Sequence, residues 1–245
     1  MIWTPGDPDP GPCLDSLAPQ VDELVLVANP GGAPSAPEGT LVLHNERTHG
    51  FGTNINRGIA ATSAPFIAAS NPDIFATPHA ISTLREFAES HLRCGIAGPE
   101  LRYPDGGRQP SRRSFPTVTG TLVRRTPLRR LLDPQRRQRR HYLLDEHPDE
   151  PVLSDWLLGA FLFLRREMLE ELGGFDEGYR LYGDDIDLAY RARQAGWERW
   201  FVPDAVAIHH HQAVTDRRFL TRRTLWHWRS ILRFVRKHPE SMREL

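Results

Sequence analysis

Four short apolar segments, each separated from the next by a long connection, limit what this chain can fold into. Residues 23–28, 40–44, 65–70 and 94–98 each read as a buried strand bounded by Gly, Pro or Asn. Between them, residues 53–62 suit a short helix. Residues 79–90 form an amphipathic helix with Ile81, Leu84 and Phe87 on one side. Strands alternating with helices at this spacing predict a doubly wound, mostly parallel α/β sheet, with ligands bound beyond the carboxyl ends of its strands. At 245 residues the chain suffices for one sizeable domain or two small ones.

Residues 104–150 break the pattern, being rich in proline and arginine with weak periodicity, and read as a long excursion on one face. Order returns in the apolar, strand-like run 155–164 and a short helix from Arg166 to Leu172. One or two strands over 199–209 and a basic terminal helix over 217–237 follow. The expected organisation is a domain over 1–212, with 213–245 as a helical extension.

The formal net charge is zero, so no global field draws the chain to nucleic acid, and no nucleic-acid motif is present. Cys13 and Cys94 stand alone and far apart, against a disulfide framework or a cysteine metal site. No apolar run reaches the length of about 18 residues needed to span a bilayer. The first residues carry neither the basic nor the apolar region of a signal peptide, so the expected address is cytoplasmic.

The run from Gly173 to Leu188 concentrates the chemistry. Asp184, Asp185 and Asp187 sit where a glycine-rich loop gives way to helical spacing through Ile186, Ala189, Tyr190 and Arg193, with Gly196 as the stop. Carboxylates in a helix's first turn can face a cleft and take a proton from a hydroxyl. Alternatively, Asp184 caps the helix while Asp185 and Asp187 complement its dipole. Asn71-Pro72-Asp73 closes the strand at 65–70, where a carboxylate can hold a divalent cation, or the three residues simply form a turn. In His209-His210-His211 the first and third would share one strand face, as metal ligands or as surface histidines.

The order of these pieces carries a resemblance. Gly50-Phe51-Gly52-Thr53-Asn54-Ile55-Asn56-Arg57-Gly58 comes first, then Asn71-Pro72-Asp73, Gly98-Pro99-Glu100 with Asp105-Gly106-Gly107, and Trp156 with Gly159-Ala160. Gly173-Gly174-Phe175-Asp176-Glu177, Asp184-Asp185-Ile186-Asp187-Leu188 and Val202-Pro203-Asp204-Ala205 leading to His209 follow. Over roughly residues 13–212 this resembles family 2 glycosyltransferases of the rhamnosyltransferase-like bacterial branch.

The resemblance implies a GT-A fold. It also implies inverting, metal-dependent transfer from a nucleotide-diphosphate sugar to a hydroxyl of a glycan or lipid-linked acceptor, in cell-envelope polysaccharide synthesis. It implies Mg²⁺ or Mn²⁺ as cofactor, with Asp73 in the metal motif and His209 completing the shell. Asp185 takes the place of the catalytic base, supported by Asp184, while Asp187 is structural within the helix start. Gly50, Phe51 and Asn56, with Asn71 and Asp73, match the nucleotide-sugar pocket, and Trp156 and Gly159 the acceptor side.

The chain departs from the family at its amino end. Cys13-Leu14-Asp15-Ser16-Leu17 is present, but the strand expected before it is missing or reduced to Ile2-Trp3-Thr4, through a late start or a remodelled pocket. An Asp-Asn pair is replaced by Ala28-Asn29. A relative that binds sugar nucleotides or glycans without turnover is therefore the alternative. Arg124, Arg125, Arg129, Arg130, Arg136, Arg137, Arg139 and Arg140, interleaved with Leu128, Leu131 and Leu132, form either a solvated loop or a surface for anionic lipid. The basic terminal helix, with Arg217, Arg218, Arg222, Arg223, Arg229 and Arg233, would share that surface and place the protein on the inner face of the membrane.

Overall fold

Strand β11 (Phe161–Arg165) shows how a wholly apolar segment comes to lie in a sheet covered on both sides. Successive side chains of a strand point to opposite faces. Phe161 and Phe163 enter a core with Ile74, Leu84 and Leu101, whereas Leu162 and Leu164 enter another with Ile96, Leu188 and Tyr190. The computed structural model describes residues 1–32, 34–115, 143, 146–180, 182–210 and 222–239.

Among the described residues the larger sheet has seven strands, along the path β4 (Phe66–Ser70), β11, β6 (Cys94–Arg102), β12 (Glu198–His209) and β5 (Ile74–Ala76). Short strands β7 (Arg108–Gln109) and β9 (Val152–Leu153) pair with β6 and β12. A smaller sheet, wholly parallel, holds β1 (Ile2–Trp3), β2 (Val25–Ala28) and β3 (Leu41–His44). β8 (Arg112–Arg113) and β10 (Trp156–Leu157) form an antiparallel pair. The helices are α1 (Gly11–Leu17), α2 (Phe51–Ala60), α3 (Ala80–Ser90), α4 (Arg166–Leu172), α5 (Asp184–Gln194) and α6 (Arg222–Lys237).

Parallel pairing holds for β1-β2-β3 and for β6 with β12, but β11 runs against both its neighbours, so the larger sheet is mixed. The cause lies in the connection. The chain re-enters the sheet at the Ser70 end of β4, with Phe161 opposite Ser70, and so runs back along β4 in the opposite direction. The first strand is present and short, Ile2 and Trp3 pairing with Val27 and Ala28.

The run 155–164 is two strands, not one, parted by a turn at Leu158–Ala160. β6 continues past Gly98 through Pro99 because the edge facing β11 ends at Ala97 and β7 begins only at Leu101, so no ladder donor is needed in between. Residues 199–209 belong to one strand with a register shift between Val202 and Val206. α4 ends where Gly173 turns left-handed (φ 71°) and Gly174 N–H reaches back to Leu169 O at 2.7 Å. The arginines at 124–140, with Arg217, Arg218 and His211, lie outside the described residues.

Candidate active site

Helix α5 begins after Gly183 with no side-chain cap, so the local cap reading of Asp184 does not hold. Its first-turn carboxylates reach other elements instead. Asp184, buried, accepts the Gly52 N–H from the start of α2 at 3.2 Å. Asp185, half-buried, accepts the Gly159 N–H at 3.1 Å and the Ile186 N–H at 2.9 Å. Gly159 permits this approach, since a Cβ there would stand 3.1 Å from Asp185 Oδ2. The same turn holds the end of β4, because Asn71 N–H donates to Ala160 O at 2.9 Å. One turn thus ties Asp185 to the strand end that leads to Asp73.

Burial governs the charge on this pair. It pushes Asp184 up to about 7, the negative charge of Asp185 adds to it, and the Gly52 N–H opposes it. Burial also raises Asp185, against the Gly159 and Ile186 N–H bonds and the positive charge of Arg113. Two neighbouring carboxylates of this kind do not both ionise readily.

Asp73 lies at the other end of that strand connection. Its Oδ1 is buried and accepts no hydrogen bond, and its Oδ2 lies 3.3 Å from His209 Nε2. His209 Nδ1 stands 2.7 Å from Gln109 Oε1, which holds the ring with Nε2 toward Asp73. A buried carboxylate oxygen with no hydrogen bond, beside an imidazole nitrogen, is an arrangement that a bound cation can satisfy. Among the described residues no group of three His, Cys, Asp or Glu that could hold a metal ion is assembled.

A family model described as glycosyltransferase-like family 2 matches residues 35–229. The chain belongs to this family. An N-acetylglucosaminyl-diphospho-decaprenol L-rhamnosyltransferase of Mycobacterium tuberculosis is 31% identical over 240 residues, covering 85% of this chain and 75% of that protein. The rhamnosyltransferase WbbL of Escherichia coli is 36% identical over 94 residues, covering 36% of this chain and 34% of that protein. Two solved structures share the GT-A fold. GalNAc-T7 with UDP, GalNAc and Mn²⁺ has a TM-score of 0.63 at 16% identity, over 90% of this chain and 44% of that one. The Pyrobaculum calidifontis mannosyltransferase PcManGT with GDP-Man and Mn²⁺ has 0.53 at 14%, over 87% and 56%.

In this family 2 glycosyltransferase, Gly50, Phe51 and Asn56 seat the acidic loop against α2. A Cβ on Gly50 would come 2.9 Å from the Tyr179 and Arg180 carbonyl oxygens, and Phe51 meets Phe175 edge to face at 5.7 Å. The Asn56 amide bridges the backbone of Phe175, donating to its carbonyl and accepting its N–H, both at 2.9 Å. Trp156 is buried, its Nε1–H bonded to Ser114 O at 2.9 Å. Arg113 lies over that ring at 5.3 Å.

Sequence reasoning passed over Arg113 and a buried amide network at the carboxyl ends of β2 and β3. Asn45 Nδ2 donates to Asn29 Oδ1 at 2.8 Å and to Asn54 Oδ1 at 2.7 Å. Asn29 Nδ2 donates to Thr4 Oγ1 at 3.0 Å and to His49 O at 3.2 Å, and its Oδ1 accepts the His49 N–H at 3.0 Å. Asn29, beside the Ala28 that replaces the family's aspartate, is therefore occupied in fixing the loop ahead of α2. A signal was available, since Asn29 and Asn45 each directly follow a strand. Asp187 finds partners well beyond its own helix start, in Tyr179, Lys237 and His238.

Proposed function

We propose that this glycosyltransferase transfers a sugar with inversion from a nucleotide-diphosphate donor to an acceptor hydroxyl, with Asp185 as the base and Asp73 and His209 holding a divalent cation. The observation that carries the reading is the shared turn at 158–160, which joins the Asp185 carboxylate to the strand end leading to Asp73. Proton removal and diphosphate departure need groups held in fixed relation, and main-chain hydrogen bonds from one turn supply that.

A sugar hydroxyl is a weak nucleophile near neutral pH, so Asp185 takes its proton as the new bond forms. Asp184, raised to about 7, keeps a proton near neutrality and leaves the negative charge to Asp185. Direct displacement needs one base and no enzyme nucleophile. Mg²⁺ or Mn²⁺, when bound, neutralises charge on the departing diphosphate. The carboxylate of Asp73 and the imidazole of His209 would hold it, with Gln109 fixing the ring. The relatives' names support a rhamnosyl donor, a diphospho-lipid-linked acceptor and a place in cell-envelope polysaccharide synthesis.

Titration calorimetry with UDP, GDP and dTDP, with and without Mn²⁺ or Mg²⁺, tests the cation site. One nucleotide is expected to bind more tightly with the cation. Asp73→Asn should remove that gain while the melting temperature stays high enough to show an intact fold. Unchanged cation-dependent affinity in Asp73→Asn would refute the assignment.

Attachment to an anionic membrane surface extends the same reading. No described helix is long and apolar enough to cross a membrane. Arg229, Leu232 and Arg236 stand exposed along α6, a basic and apolar stripe suited to lipid headgroups. Co-sedimentation with phosphatidylglycerol vesicles should occur at low salt and fade as salt rises toward 0.5 M, because exposed charge is then screened. Absence of binding at low salt removes this part of the proposal.

A further inference from the structure

Helix α6 places two of its basic side chains, Arg233 and Lys237, on the acidic loop. Arg233 donates to Asp176 Oδ1 at 2.7 Å and Lys237 Nζ to Asp176 Oδ2 at 2.6 Å. Lys237 Nζ also lies 2.9 Å from Asp187 Oδ1, and His238 Nε2 lies 2.9 Å from the same oxygen. Asp187 is fully buried, and Tyr179 OH at 3.2 Å and Arg191 Nε at 2.7 Å complete its partners. Arg191 then donates to Leu172 O at 2.9 Å and Gly174 O at 2.8 Å, the two ends of the turn out of α4. Tyr190 packs on Phe234 and His238 at 5.5 and 4.6 Å between ring centres.

Burying a carboxylate without partners is costly, so these donors decide whether the start of α5 keeps its place. Burial would raise Asp187, but the His238 bond, the charge and bond of Arg191 and the Lys237 bond outweigh it and hold the group below the ordinary carboxylate range. Asp185 lies two residues away on the same turn.

We propose that Lys237 and His238 are positioning residues, which fix the Asp185-bearing helix start and the loop before it through Asp187 and Asp176. α6 thereby belongs to the catalytic apparatus. The inference rests on Asp185 as base, and misplacement of a catalytic group by about 1 Å can cost about 10²-fold in rate.

Hydrogen exchange on the full chain, with transfer from a panel of UDP-, GDP- and dTDP-rhamnose, tests it. In Lys237→Met and in His238→Ala, the 173–190 peptide should exchange about tenfold faster or more, with the 161–165 strand unchanged. Turnover should fall about tenfold or more while KM for the donor stays within about twofold. Lys237→Arg should restore both. Unchanged exchange at 173–190, equal acceleration in loop and strand, or full turnover despite a loosened loop each overturns the proposal. Asp185→Asn separates the two readings. If it transfers normally, the base assignment fails, while the exchange arm still reports whether α6 fixes the loop.

Discussion

Asp185→Asn is expected to lower sugar transfer by about 10²–10⁴-fold, the range that general-base catalysis supplies. The substitution preserves size and, with its single carbonyl oxygen, can accept one of the Gly159 and Ile186 N–H bonds, but it removes the oxygen basicity that the reaction needs. Nucleotide binding should persist, since the diphosphate is assigned to the cation at Asp73 and His209. The pH profile should carry the second signature. Burial raises Asp185, so wild-type activity should fall off on the acid side at a pH above the ordinary carboxylate range. Normal transfer by Asp185→Asn, with Asp184→Asn inactive, would exchange the two roles.

Asp184→Asn should stabilise the protein, and should do so in alkaline solution. The folded-state value is raised from 3.8 to about 7. The folded chain thus holds its proton more tightly than the unfolded chain. The associated stability is complete below about pH 4 and is lost as pH rises through about 7. At about 1.36 kcal/mol per pH unit the loss approaches about 4 kcal/mol, and part of it belongs to the pair with Asp185. The asparagine variant has no charge to bury and escapes that loss. Its melting temperature should exceed that of the wild type by about 5–15 °C at pH 8, at about 2–4 °C per kcal/mol for a chain of this size. Near pH 4 the difference should close or reverse. A constant difference between pH 4 and 8 would show that Asp184 is ionised throughout.

β2, β3, β4, α2, α3 and the start of β6 were legible because burial, periodicity and flanking Gly or Pro agree there, whereas α1 and the three-residue β5 were not read. α4, written by a short amphipathic pattern and a Gly-Gly stop, was readable to the residue. The start of α5 was readable too, since three carboxylates mark it. Direction was not readable in β11, whose alternation of Phe and Leu specifies two covered faces and says nothing of neighbours. Nor was the break at 158–160, because an apolar run conceals a turn whose purpose is contact with Asp185. Pro99 reads as a strand stop and becomes a strand residue only where partners change on one edge. Asn29 reads as part of a turn and Asn54 as part of a helix, and their network with Asn45 exists only once β2, β3 and α2 are assembled. His238 carries no local signal at all, its partner Asp187 lying 51 positions earlier in the chain.

Two of the three first-turn carboxylates of α5 take a hydrogen bond from another element's peptide nitrogen, Asp184 from Gly52 and Asp185 from Gly159. A peptide nitrogen has no side-chain identity that a substitution can change. Short of proline, an insertion or a side chain at Gly52 or Gly159 itself, exchanges in the surrounding loops leave both donors in place. The side chains around the two carboxylates can therefore be rewritten for a different acceptor while the geometry of proton removal is retained. In an engineered variant, a new acceptor would be sought by varying the residues flanking 159, with the length of the 158–160 turn left untouched.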